Sequence, residues 1–184
     1  LLAFLVGLAF TGIEAGFGLW GQARFGWGPR QIAICFSFVG VVGAITQFFV
    51  TGPLSERYGE GRMLAIGMAL TVVGCAVQPF STGLITTTLL MCVTAIGQSV
   101  AFPNVGALIS RTADPHRQGQ ILGLNNAAGA FARVAGPLCA GLTFAAISIN
   151  APFWQGAAVV APAILLALSA ARRAGQRTGP GPAS

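Results

Sequence analysis

The sequence predicts an all-α membrane protein of six transmembrane helices. Three observations carry that expectation. Only 8% of the residues are charged while 54% are hydrophobic, and mean hydropathy is +0.76. A soluble domain typically carries about 25% charged residues, so this chain lacks the polar surface to cover a globule in water. Six apolar runs approach or exceed the roughly 20 residues a membrane helix needs. These runs do not alternate in polarity, as the roughly ten-residue strands of a membrane barrel would.

The spans are expected at about 1–22, 31–53, 63–80, 84–110, 119–149 and 152–171. Spans four and five exceed the minimum length, which predicts tilt or an extension beyond the lipid. Residues 172–184, "RRAGQRTGPGPAS", are rich in Gly, Pro and Arg and are expected to be a disordered tail. The chain opens at Leu1 inside span one without a Met, so it reads as part of a longer protein. No basic leader followed by a cleavage site is visible at the start.

Orientation follows from arginine. All ten basic residues are Arg. With six spans, the second and fourth connections and the tail share one side. That side carries Arg57, Arg62, Arg111, Arg117, Arg172, Arg173 and Arg177, against Arg24 and Arg30 opposite. The excess places the charged connection, and both ends of the segment, in the cytoplasm. The net charge of +6 does not point to nucleic acid, because the arginines form no basic face with interleaved aromatics.

Other chemistries find little support. Cys35, Cys75, Cys92 and Cys139 each lie in an apolar run and read as small buried hydrophobes. The one His, His116, has no metal-ligand neighbours at recognisable spacing, and no Ser-His-Asp set is plausible. No phosphate-binding loop is present. No catalytic constellation, metal site or cofactor is expected, so work on a solute would draw on a gradient.

Polar groups inside the spans are the informative ones. A charge at mid-membrane costs roughly 2.5–3.5 kcal/mol on insertion scales and usually marks a pathway or relay. Glu14, in "FTGIEAGFG", and Arg133, within span five, are such groups. At about 1.5 Å per residue, both lie roughly 20 Å from the cytoplasmic starts of their spans, so a pair between them is possible. A structural role for both is the alternative. In span four, "GQSVAFPN" places Gln98, Ser99 and Asn104 around Pro103, which should bend the helix. Span two adds Thr46 and Gln47, and span five adds Asn125 and Asn126. The middles of spans three and six are nearly all apolar. Spans one, two, four and five are therefore expected to line a polar cavity, and spans three and six to face lipid. Any single Asn or Gln could instead hold two helices together.

The most charged connection is "GPLSERYGEGR", residues 52–62, with Glu56, Arg57, Glu60 and Arg62. It fills every fixed position of the G-x-L-x-(D/E)-R-x-G-x-x-R signature of the major facilitator superfamily, at Gly52, Leu54, Glu56, Arg57, Gly59 and Arg62. "RVAGPLCAG", residues 133–141, resembles the Gly-Pro motif of the fifth helix of a half in drug:proton antiporters, with Gly136, Pro137 and Gly141 expected to bend span five. "FGWGPRQIA", residues 25–33, resembles the outer loop after the seventh helix.

The resemblance is to the tetracycline-efflux type. It implies helices seven to twelve, the C-terminal half, built as 3+3 inverted repeats. It implies a missing N-terminal six-helix half of the same chain, a small-molecule substrate, protons as coupling ions and the bacterial inner (plasma) membrane. It also implies that the charged loop latches the two halves. Physically, Gly52 and Gly59 allow a tight turn, and Glu56 can sit against a helix N-terminus. The function implied is proton-coupled efflux by alternating access. The competitors are a sugar or metabolite permease with other coupling, and a non-transporting scaffold or receptor.

Overall fold

A computed structural model describes residues 2–112 and 117–177. The polar connection with Asp114 and His116, and the tail from residue 178, lie outside the described residues. The chain is a bundle of helices in the order α1 (Leu2–Phe25), α2 (Pro29–Ile45), a π-helical turn (Thr46–Thr51), α3 (Gly52–Tyr58), α4 (Glu60–Val77), α5 (Leu84–Thr112), α6 (Gln118–Ala146) and α7 (Ala151–Arg177). Among the described residues, six helical stretches are long and apolar enough to cross a membrane, the second being the continuous run Pro29–Tyr58.

Two departures from the expected spans have local causes. Span two continues as helix past residue 53, with the wider π turn Thr46–Thr51 immediately before Pro53, where a proline ring would otherwise crowd the preceding turn. The last helix runs to Arg177, past the expected end of span six at residue 171.

The turns are made by local chemistry. Gly26 adopts φ +68 and donates its N–H to the Gln22 carbonyl at 2.9 Å, closing α1 with a left-handed residue that glycine tolerates. The Gly28 N–H then donates to Gln31 Oε1 at 3.1 Å, and Pro29 starts α2. Between α3 and α4, Gly59 takes φ +84 and ψ 145, a conformation that a side chain strongly disfavours. Before α5, the backbone N–H groups of Thr82 and Gly83 both donate to Thr86 Oγ1 at 3.1 Å.

Helices approach through small residues, as dispersion packing in lipid requires. At the α1–α6 contact, a Cβ on Gly136 would meet Thr11 Oγ1 and lie 2.9 Å from the Gly12 nitrogen. At the α4–α5 contact, a Cβ on Gly67 would lie 2.5 Å from the Gly97 oxygen. The core that results contains Phe17, Trp20, Leu64, Met68, Phe153 and Val160, all buried. At the Arg24 end, Trp20 meets Phe153 edge to face at 5.2 Å and Phe25 stacks on Trp27 at 4.7 Å. The Arg24 guanidinium lies over both Trp20 and Phe25. All four cysteines are free thiols.

Span three, expected to face lipid, presents an exposed apolar stripe of Ile66, Val73 and Val77 on one face and packs its other faces into the bundle. It is the best buried span, at 56%, against 11% for span two and 17% for span five. α4 packs against both α5 and α7. An apolar helix suits a protein interior as well as it suits lipid, so composition alone did not say which of its faces packs inward.

Candidate functional site

Four helices line an open cavity of about 630 Å³. Its walls come from α1, α2 with its π turn, α5 and α6, and neither α4 nor α7 contributes. A second hollow of about 520 Å³ adjoins it and shares Phe10, Thr11, Glu14, Phe36 and Arg133. The polar side chains on the main wall are Thr11, Glu14, Gln47, Thr94, Gln98, Ser99 and Arg133, set among Phe10, Phe36 and Phe102. An apolar, aromatic lining with a few convergent polar groups is the usual make-up of a small-molecule site.

Glu14 and Arg133 reach the cavity from facing helices, and both are exposed to it. No salt bridge joins them among the described residues. Each charge is therefore available to a solute. Gly7, Gly12 and Gly136 let α1 and α6 close up beside them. A Cβ on Gly7 would lie 3.1 Å from that of Ala132. Thr11 spans the same contact: its hydroxyl lies 3.0 Å from both the Gly7 and Ala132 carbonyl oxygens. Phe10 and Phe102 meet edge to face at 5.5 Å, joining α1 to α5 at the wall.

The structure sorts the residues singled out in the sequence. Gln47, Gln98 and Ser99 are on the wall. Thr46 is not: it is buried, with its hydroxyl donated to the Val42 carbonyl at 2.8 Å. Asn104 is buried too, its amide donated to the Val100 carbonyl at 2.7 Å. Both satisfy their own helix, the standard alternative for a polar side chain in a span. Asn125 and Asn126 lie off the wall, and Asn125 Oδ1 is buried without a partner.

The residues expected to bend helices divide likewise. Pro103 and Pro137 sit inside continuous helices, and Pro137 borders the second hollow. Gly136 serves close packing rather than bending, and a Cβ on Gly141 would meet open space. Thr11, Thr94 and the three phenylalanines were missed in the sequence. Their residue types are ordinary in membrane helices, and only the helix faces reveal them.

The charged loop lies away from the cavity. Glu56, Arg57 and Arg62 are exposed and Leu54 is half-buried. Arg57 lies over the Tyr58 ring, 5.6 Å from its centre. Gly59 alone makes the turn. Gly52 is helical at φ −57 with open space where a Cβ would go, which corrects the paired-glycine turn. Glu60, not Glu56, occupies the first turn of α4, where the unpaired N–H groups favour a carboxylate.

The characteristic sequence pattern of a large family of membrane transporters matches residues 1–183 of this chain. The chain belongs to the Major Facilitator Superfamily. Two superfamily relatives of this chain are tetracycline resistance proteins. The class C protein of Escherichia coli is 32% identical over 84% of the chain, which covers 39% of that relative. The class G protein of Vibrio anguillarum is 34% identical over 80% of the chain, covering 36% of its own length. A quinolone resistance protein of Staphylococcus aureus is 24% identical over 91% of the chain, covering 43% of its length. The chain thus spans about two fifths of the length of these curated relatives. It is an integral membrane protein of a transporter superfamily.

Proposed function

We propose that this chain is the C-terminal six-helix half of a proton-coupled exporter of small aromatic drugs, of the tetracycline or quinolone kind. The observation that carries the reading is the pair Glu14 and Arg133, unpaired with each other and open to one cavity. Costly charges held toward a cavity suit a solute path, whereas a scaffold or receptor has no need of them. The phenylalanines beside them suit a planar ring system. The relatives' names supply the substrate class.

The half is read as two three-helix repeats of inverted topology, a common build among secondary transporters. Helix neighbours support it: α1 packs on α6 as α2 packs on α5, and α4 packs on α5 as α7 packs on α1. Each pair maps onto the other when spans one to three exchange with four to six. A missing N-terminal half would close the cavity from the other side. Arginine counts orient the charged loop and both ends of the segment toward the cytoplasm of a bacterial inner membrane. In that setting residues 52–62 form a latch between halves, and Glu14 carries the exchanged proton.

The test is export by the full-length protein in proteoliposomes under an imposed pH gradient. Gradient-driven drug export is expected from the wild type and is expected to fall to background for Glu14→Gln. Export by Glu14→Gln at the wild-type rate would remove Glu14 from coupling. Transport of sugars or metabolites but no drug would replace the drug reading with that of a permease.

A further inference from the structure

Thr51 ends the π-helical turn and is only 4% exposed. Its Oγ1 lies 3.1 Å from the Thr46 carbonyl oxygen, in its own helix, and 3.3 Å from the Ser99 carbonyl oxygen of α5. A threonine hydroxyl has one proton to donate. It cannot bond both carbonyls fully at once.

Both contacts form where regular helix is interrupted. The Ser99 carbonyl would normally receive the N–H of residue 103, but that residue is Pro103 and has none. In an α-helix, residues five apart point roughly 140° away from each other. The π turn, with bonds from i to i+5, instead brings the Thr51 hydroxyl back over the Thr46 carbonyl while leaving it against α5. π turns inside α-helices are frequent at functional sites.

The hydroxyl also stands between two functional segments. On one side, Ser99 and Gln47 line the cavity, and a Cβ on Gly43 would lie 3.2 Å from Ser99 Oγ. On the other side, Gly52 follows directly and leads into the charged loop.

We propose that Thr51 is a positioning residue acting as a two-way hydrogen-bond switch between the π turn of span two and the proline break of span four. Donation to Thr46 holds the π turn. Donation to Ser99 holds α5 at its break and ties the cavity wall to the segment entering the charged loop. With the one proton shared between two nearly equidistant carbonyls, a small shift of either helix hands the bond to the other, which is what an alternating motion needs of a joint. The mechanical role rests on the transport reading, but the switch itself does not.

The test is amide hydrogen exchange, followed by mass spectrometry, on the full-length protein in lipid nanodiscs, with drug export measured in parallel. Thr51→Val removes the proton with little change of shape, and Thr51→Ser keeps it. In Thr51→Val, exchange in peptides covering 46–58 and 99–108 is expected to rise about threefold, the scale of one interhelical hydrogen bond in a bilayer. Thr51→Ser should match the wild type. Pro103→Ala supplies a second donor to the Ser99 carbonyl, which can accept two, so in that background the effect of Thr51→Val on 99–108 should be smaller. Wild-type exchange in Thr51→Val overturns the proposal. So does a rise in Thr51→Val confined to 46–58 with none in 99–108, which would mean the hydroxyl does not serve the Ser99 carbonyl. These exchange results decide the switch whether or not the wild type exports drug. Absence of export by the wild type would count against the transport reading alone.

Discussion

Gly67 of α4 and Gly97 of α5 face each other so closely that a Cβ on either would fall 2.5 Å from the other's carbonyl oxygen. The contact is backbone on backbone, and it brings the best-buried span against a wall of the cavity. Neither residue can accept a methyl group without parting the helices. Gly67→Ala or Gly97→Ala is therefore expected to destabilise the full-length protein by about 1–3 kcal/mol, the usual cost of overpacking. Thermal unfolding in detergent would show it as a clear fall in Tm. Gly106→Ala, on the same helix but with open space around the added methyl, should leave Tm nearly unchanged.

The two signature glycines should behave in opposite ways. Gly59 holds φ +84 and ψ 145, where a side chain costs roughly 1–3 kcal/mol. Gly59→Ala should lower stability by that amount. Gly52 is helical with free space, so Gly52→Ala should stabilise the isolated turn slightly, by up to about 1 kcal/mol. Loss of export in Gly52→Ala with stability preserved would place its role in contact with the other half. Wild-type export would limit Gly52 to local helix structure.

Trp20 is fully buried and donates its indole N–H to Asn150 Oδ1 at 2.8 Å. This bond ties α1 to the turn before α7. Asn150→Ala removes the acceptor and leaves a buried donor unpaired, at a cost of about 1–3 kcal/mol. Trp20→Phe in the same background removes the orphan. The double variant should then lose less stability than the sum of the two single changes, which denaturation midpoints would measure.

Arg133 offers a guanidinium to both hollows. A charge-assisted hydrogen bond contributes about 1.5–3 kcal/mol. Arg133→Ala should therefore weaken binding of a carboxylate-bearing drug at least tenfold, while an uncharged aromatic ligand binds as before. Equilibrium binding to the purified full-length protein would read the difference. Equal loss for both ligands would make Arg133 a structural residue of α6.

The amino-acid sequence by itself determined the solvent, the number of helices and the places where costly groups lie. Scarce charge and long apolar runs demand a bilayer, because no other solvent tolerates them. Glu14, Arg133, Gln98 and Pro103 stand out for the same reason: in lipid each carries a penalty that ordinary packing does not explain. The signature at residues 52–62 was legible because every fixed position is filled. The tertiary structure decided which polar groups meet the cavity. Thr46 and Asn104 satisfy their own helices, while Thr11 and Ser99 share a wall with Glu14. Neighbouring positions on a helix point about 100° apart, so a one-residue difference separates wall from core. It also decided how much of α4 packs inward and which stripe, Ile66, Val73 and Val77, stays exposed, since apolar side chains suit both environments. And it alone revealed Thr51 between two carbonyls, because a π turn and a proline break 52 residues apart in sequence become neighbours only when the helices pack.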